Sequence, residues 1–178
     1  MNRLQQAWIW LRRIGHSRGF GIQSPSDYRF VRYVVNEQWP YYAYAEIGQN
    51  DNWLRRKLGR LYFRLANFLQ PDAIADFVGA GEYWHAGCRK AVKAEAAPAG
   101  KDKRRRQLII APPDADVERL MDVAGEQTVV VVEGVGKHPK TWKAILADER
   151  VTVAFDLYYC GILFFDPRRT KQHYVVNF

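Results

Sequence analysis

The chain of 178 residues carries 27 Lys and Arg against 19 Asp and Glu, a formal net charge of +8. A hydrophobic share of 48% with 14% aromatics is enough to build a core and excludes global disorder. No apolar run approaches the ~20 residues of a membrane span, and Arg3, Gln5, Gln6, Arg12 and Arg13 interrupt the N-terminus as a signal peptide. Cys88 and Cys160 have no CxxC or Cys/His spacing, which argues against a zinc site or disulfide framework and makes a reducing cytoplasm the expected location.

The charge is localised. Residues 1–70 hold 11 Lys/Arg and 4 Asp/Glu, whereas residues 71–178 hold 16 and 15. This break predicts an N-terminal helical region over 1–70 and a separate α/β core over 71–178. It points either to an acidic partner for the first part or to solvated helix faces.

Taken in chain order, Leu4, Trp8, Leu11 and Ile14 recur at helical spacing beside Arg12 and Arg13. They predict a short amphipathic helix, expected to pack on its own domain and otherwise suited to a membrane surface or a partner. Ser24-Pro25-Ser26-Asp27 reads as a helix start, and Tyr28, Val31, Val34 and Val35 carry that helix to about Glu37. Trp39 to Tyr44 breaks it. A longer helix is predicted over Asn52–Leu69, with Leu54, Leu58, Leu61, Leu65 and Phe68 as its apolar stripe. Arg55, Arg56, Lys57, Arg60 and Arg64 form its basic face, which could follow a phosphate backbone.

After Pro71 short apolar runs alternate with helices. Strands are predicted over Ala73–Val78, Gln107–Ala111, Thr128–Val132, Val151–Leu157, Gly161–Phe165 and His173–Phe178. Helices are predicted over Glu82–Glu95, Asp114–Ala124 and Pro139–Asp148, with a linker over Ala96–Arg106. Strand–helix–strand alternation implies a mostly parallel sheet, and the last strands, with no helix between them, imply antiparallel pairing at the C-terminal end.

In open α/β sheets ligands bind beyond the C-terminal strand ends. Three such ends stand out: Asp76 to Glu82 with its two glycines, Ala111-Pro112-Pro113-Asp114, and Glu133 to His138. Each also has a structural reading. The glycines suit a tight turn, Asp114 suits a helix cap, and the last segment suits a loop. No GxSxG, GxxxxGK[ST] or HExxH motif is present, and His16, His85, His138 and His173 are scattered.

This order of elements resembles the class I S-adenosylmethionine-dependent methyltransferases, a Rossmann-like fold with a glycine-rich turn after the first strand and an antiparallel strand at the end of the sheet. More narrowly it is similar to a bacterial group of small-molecule-type methyltransferase homologues. The resemblance rests on His16-Ser17 with Ser24-Pro25, Pro40 to Glu46, Leu58 to Leu65, Phe155-Asp156-Leu157 and Gly161 to Phe165. It implies S-adenosylmethionine against Asp76, Val78, Gly79, Ala80, Gly81 and Glu82. Pro112, Asp114 and Glu133 complete that site, with acceptor chemistry near the last two.

Several positions depart from the family pattern. Val78 and Glu82 stand where it has glycines, no second-strand acid is evident, and Ala111 and Asp114 replace the polar and aromatic ends of an amino-methyltransferase motif. The core is also short, so a truncated sheet is expected where the adenosine would sit. Three functions follow: a compact methyltransferase, a non-catalytic binding or assembly module on that scaffold, or a nucleic-acid binder using the basic helix, Lys101 to Arg106 and the bases' stacking on Tyr41, Tyr42 and Tyr44.

Overall fold

The computed structural model describes residues 3–16, 19–94 and 105–178. Its helices are α1 (Arg3–Arg12), α2 (Pro25–Phe30, continued by a π-helical turn over Val31–Val35), α3 (Trp53–Leu69), α4 (Gly81–Gly87), α5 (Val117–Val123) and α6 (Pro139–Ala147). Its strands are β1 (Ala73–Asp76), β2 (Val92–Ala94), β3 (Gln107–Ala111), β4 (Thr128–Glu133), β5 (Val153–Asp156), β6 (Cys160–Phe164) and β7 (Gln172–Val175). They form one sheet in the order β2-β1-β3-β4-β6-β5-β7. Only β6 runs against its neighbours. The α/β class and the antiparallel strand near the C-terminal end are therefore as the alternation of elements implies.

Strand residues alternate between two packed faces, as a period of two requires. Leu108, Ile110, Val129, Val131 and Phe155 join Phe30, Val34, Leu58, Leu61 and Leu65 from α2 and α3. Ile109, Val130, Val132 and Leu163 join Leu120, Met121, Trp142 and Ile145 from α5 and α6. The result is a three-layer arrangement with helices on both sheet faces. The basic N-terminal residues and the α/β residues differ in composition yet share the first of these cores.

Helix ends follow local chemistry. Ser24 caps α2 by accepting from the Asp27 amide, and Asn52 caps α3 by accepting from the Arg55 amide at 3.0 Å. Asp116, rather than the expected Asp114, caps α5 by accepting from the Arg119 amide at 3.1 Å. Asp114 is exposed in the turn before it.

Two expectations are corrected. The helix predicted over Glu82–Glu95 ends at Gly87, and Val92–Ala94 instead forms edge strand β2 beside β1. The physical reason lies at Gly87 and Cys88. A Cβ at Gly87 would overlap the Phe63 carbonyl, so α4 lies hard against α3, and Cys88 turns to extended backbone with its thiol buried over Pro71. The stretch between Val78 and Gln107 thus holds a strand as well as a helix. The predicted linker lies mostly outside the described residues, including Lys101, Lys103 and Arg104.

The second correction concerns α1. Its C-terminal end is tied down, with Arg13 donating to the Asp156 carboxylate at 2.9 Å and Asn177 donating to the His16 and Trp10 carbonyls. Its apolar stripe is not packed on the domain: Leu4, Trp8 and Leu11 are 81%, 61% and 55% exposed. No helix among the described residues is long and apolar enough to cross a membrane.

Candidate functional site

Strands β1, β3 and β4 are neighbours in register, so their C-terminal ends bring Asp76, Pro112 and Glu133 to one rim of the sheet. The local structure consumes most of the polar groups there. One Asp76 oxygen accepts from the Val78 amide at 3.1 Å and the other from the Trp84 indole at 2.9 Å, which fixes the turn into α4. Gly79 takes a left-handed φ of +72°, while a Cβ at Gly81 would meet nothing within 4 Å. The first glycine thus serves the turn's geometry, and packing gives no reason for the second. The Glu82 carboxylate accepts from the Gly48 amide at 3.1 Å. Val78 and Ala80 are turned into the core side of the turn.

Helix α3 closes this rim. Arg55 donates to the Gly79 carbonyl at 2.6 Å and stands 4.0 Å from Glu133. Tyr62 donates to Glu133 at 2.6 Å. Burial, then the negative charges facing it, push the Tyr62 hydroxyl well above its ordinary range, so it holds its proton as a donor. The third segment is fastened likewise, since the Gly134 and Gly136 amides donate to the Tyr159 and Tyr158 carbonyls. Lys137 and His138 point to solvent without joining Glu133. No group of three or more His, Cys, Asp and Glu that could hold a metal occurs among the described residues.

The proposed basic face of α3 is not a face. Arg64 is buried, with its Nε donating to the Val34 carbonyl at 2.6 Å and its Nη2 to the Val35 carbonyl at 3.0 Å. Arg56 spends its donors on the carbonyls of Gly48, Gln49 and Asp51. Arg60 lies over the Tyr44 ring, 4.8 Å from its centre. Of the four arginines assigned to an acidic partner, Arg64 is therefore removed by burial, and Arg55 and Arg56 are largely committed to backbone carbonyls.

A cleft of about 1620 Å³ opens elsewhere, between α1, the Asn36–Ala45 segment, α3 and the C-terminus. None of the residues expected from the strand ends lines it. Its walls are aromatic, with Trp10, Trp39, Tyr41, Tyr44, Trp53 and Phe178 among them. Tyr41, Tyr44 and Phe63 pack as a cluster with centroids 4.9–5.4 Å apart. Tyr41 donates to Glu37 at 2.8 Å, and burial followed by that bond pushes its hydroxyl up to about 12. Lys57 reaches into the cleft with its ammonium 4.1 Å from the Phe178 ring centre and 5.5 Å from that of Trp53. Burial, reinforced by the Arg64 charge, pulls it down to about 8.

The sequence reading places Lys57 on a basic face but misses its seat among rings, and it misses the role of Tyr62. Lys57 lies three after Leu54 and four before Leu61, and Tyr62 lies four after Leu58 and three before Leu65. Each therefore falls beside the apolar stripe, where Lys57 is half-buried and Tyr62 fully buried. Comparison of the chain with family models, curated proteins and solved structures gave no match.

Proposed function

We infer that the chain is a methyltransferase-like α/β protein that acts as a binding module rather than as a catalyst, with the aromatic cleft as its working surface. The observation that carries this reading is the internal use of the strand-end rim. Both Asp76 oxygens are bonded to the turn they sit in, and the Arg55 guanidinium bonds the Gly79 carbonyl. An amino-acid-bearing nucleoside such as S-adenosylmethionine needs free acceptors for its ammonium and ribose and open backbone beside its carboxylate. The residues present do not fit it: Glu82 adds a negative charge, and Glu133 is engaged by Tyr62 and Arg55. No methyl-transfer step is assigned to this rim. The edge strand β2 is three residues long, which supports a sheet shortened on the side of β1.

Calorimetry with S-adenosylmethionine and S-adenosylhomocysteine tests the reading. No heat of binding is expected at millimolar ligand. A dissociation constant at or below about 1 mM, the upper end of ordinary enzyme working concentrations, would return the chain to the catalysts.

A further inference from the structure

The cleft between α1, the Asn36–Ala45 segment and α3 carries two features that its own fold leaves unexplained. Asn36 lines the cleft, and its side-chain amide nitrogen is buried with no hydrogen-bond partner among the described residues. The Lys57 ammonium is half-buried in the same cleft, set between two rings, with no carboxylate within 4 Å and no hydrogen-bonded acceptor among the described residues. Arg60 adds a second cation at the wall. The charged groups lining the cleft are Arg56, Lys57, Arg60 and Arg64 against Glu37 and Asp51, an excess of positive charge. Glu37 is occupied by the Tyr41 hydroxyl and Asp51 by that of Tyr83.

Unsatisfied donors and surplus cations call for an anion, and flat aromatic walls call for a ring. The cleft, at about 1620 Å³, is larger than the ~300–1,000 Å³ of an ordinary small-ligand pocket, so it has room for more than a single ring. A ring, a sugar and a phosphate in sequence match an extended aromatic cleft with its cations at one wall. We propose that this cleft is a binding site for a nucleoside phosphate, its base stacked against the aromatic wall around Trp39, Tyr41 and Tyr44, and its phosphate taken by Lys57 and Arg60. The proposal rests on the cleft being the working surface, and it names the ligand class that surface takes. A phosphate at Lys57 would also raise it back toward the ordinary lysine range.

The test is tryptophan fluorescence and calorimetry on the full chain with adenosine monophosphate as the probe, at about 0.1 M salt. Binding is expected below about 1 mM, with adenosine alone and inorganic phosphate alone each at least about tenfold weaker. Lys57→Met keeps the length of the side chain and removes its charge. It is expected to weaken the nucleotide by about 10- to 100-fold, the loss of one charge-assisted bond, while leaving the melting temperature no lower. Lys143→Met, on the exposed side of α6, is expected to change nothing. Absence of nucleotide binding at 5–10 mM, roughly tenfold above the expected range, or an affinity indifferent to Lys57→Met, overturns the site. So does a single-stranded oligonucleotide that binds far more tightly than the mononucleotide with a steep salt dependence, since that would make the cleft part of a nucleic-acid track. Failure here with no binding of S-adenosylmethionine leaves the closed strand-end rim standing. Binding of S-adenosylmethionine unaffected by excess adenosine monophosphate overturns the binding-module reading instead.

Discussion

Replacing Arg64 with Ala is expected to destabilise the protein by about 3–5 kcal/mol. Arg64 is 7% exposed, and its guanidinium donates to the carbonyls of Val34 and Val35 and to the Tyr44 hydroxyl, with no carboxylate partner among the described residues. Those two carbonyls terminate the α2 helical run, where the negative end of the helix dipole favours a cation. Arg64 is thus a helix cap delivered from another helix. Each charge-assisted bond contributes about 1.5–3 kcal/mol, and truncation leaves two buried carbonyls without donors. At roughly 2–4 °C per kcal/mol for a chain of this size, the melting temperature should fall by about 6–20 °C. Arg64→Lys should recover only part of this, because an ammonium cannot reproduce the fork that reaches two adjacent carbonyls. Differential scanning calorimetry of the two variants beside Arg32→Ala, whose side chain is exposed, provides the measurement. Surface substitutions of that kind stay within about 0.5 kcal/mol. An Arg64→Ala melt within about 2 °C of Arg32→Ala would refute the capping role and restore Arg64 to an outward basic face.

Gly81→Ala is expected to be neutral or to stabilise by up to about 0.5–1 kcal/mol, since it sits at the first position of α4 with open space around it. Gly161→Ala is expected to destabilise by about 1–3 kcal/mol because the added methyl overlaps the Trp142 ring, and urea midpoints of the pair read both effects. Cys160 is fully buried with its thiol pushed up by burial, and Cys88 is 2% exposed. A disulfide reagent should therefore label neither cysteine in the native protein and both in urea, and fast native labelling of Cys160 would contradict the β6 placement. Lys57 titrates near 8 when folded against 10.5 as its ordinary value, so from pH 8 to 10.5 the unfolded chain holds a proton the folded chain has released, and its contribution to stability rises with pH. Cys160, Tyr41 and Tyr83, all shifted upward, oppose this above about pH 9–10. The diagnostic quantity is therefore the stability gap between Lys57→Met and the parent, which should narrow from pH 8 to 10.5, and a constant gap would show that Lys57 is solvated.

The strand pattern from Gln107 onward is legible because buried strands in a mostly parallel sheet are continuous apolar runs, and Thr128–Val132 or Phe155 with Gly161–Phe165 admit few other readings. Val92–Ala94 is not legible. Its three residues, two of them exposed, form an edge strand only because α4 stops where Gly87 meets the Phe63 carbonyl, a contact between segments more than twenty residues apart. The cap of α5 shows the same limit on a smaller scale. Asp114 and Asp116 are equal candidates by composition, and the turn closed by the Ala115 amide on the Pro112 carbonyl selects the second.

The aromatic cleft is not legible in the sequence for a related reason. Charge along a helix tells which residues are basic but not what their donors reach. Arg55, Arg56, Lys57, Arg60 and Arg64 fall within ten consecutive residues of α3, yet the helix turns them toward four destinations. Arg55 closes the strand-end rim at Gly79, and Arg56 gathers the loop over Gly48, Gln49 and Asp51. Arg64 caps α2, while Lys57 and Arg60 face the aromatic cleft. Three of the five cations are thus largely consumed in holding the structure together, their donors met mainly by backbone carbonyls, with Glu133 beside Arg55. The net charge of +8 therefore overstates the positive field available to a partner at this helix. What remains is concentrated at two side chains set among rings, a geometry suited to a compact anion carried on a flat group and poorly suited to a long polyanion, which would need cations spaced along an open face.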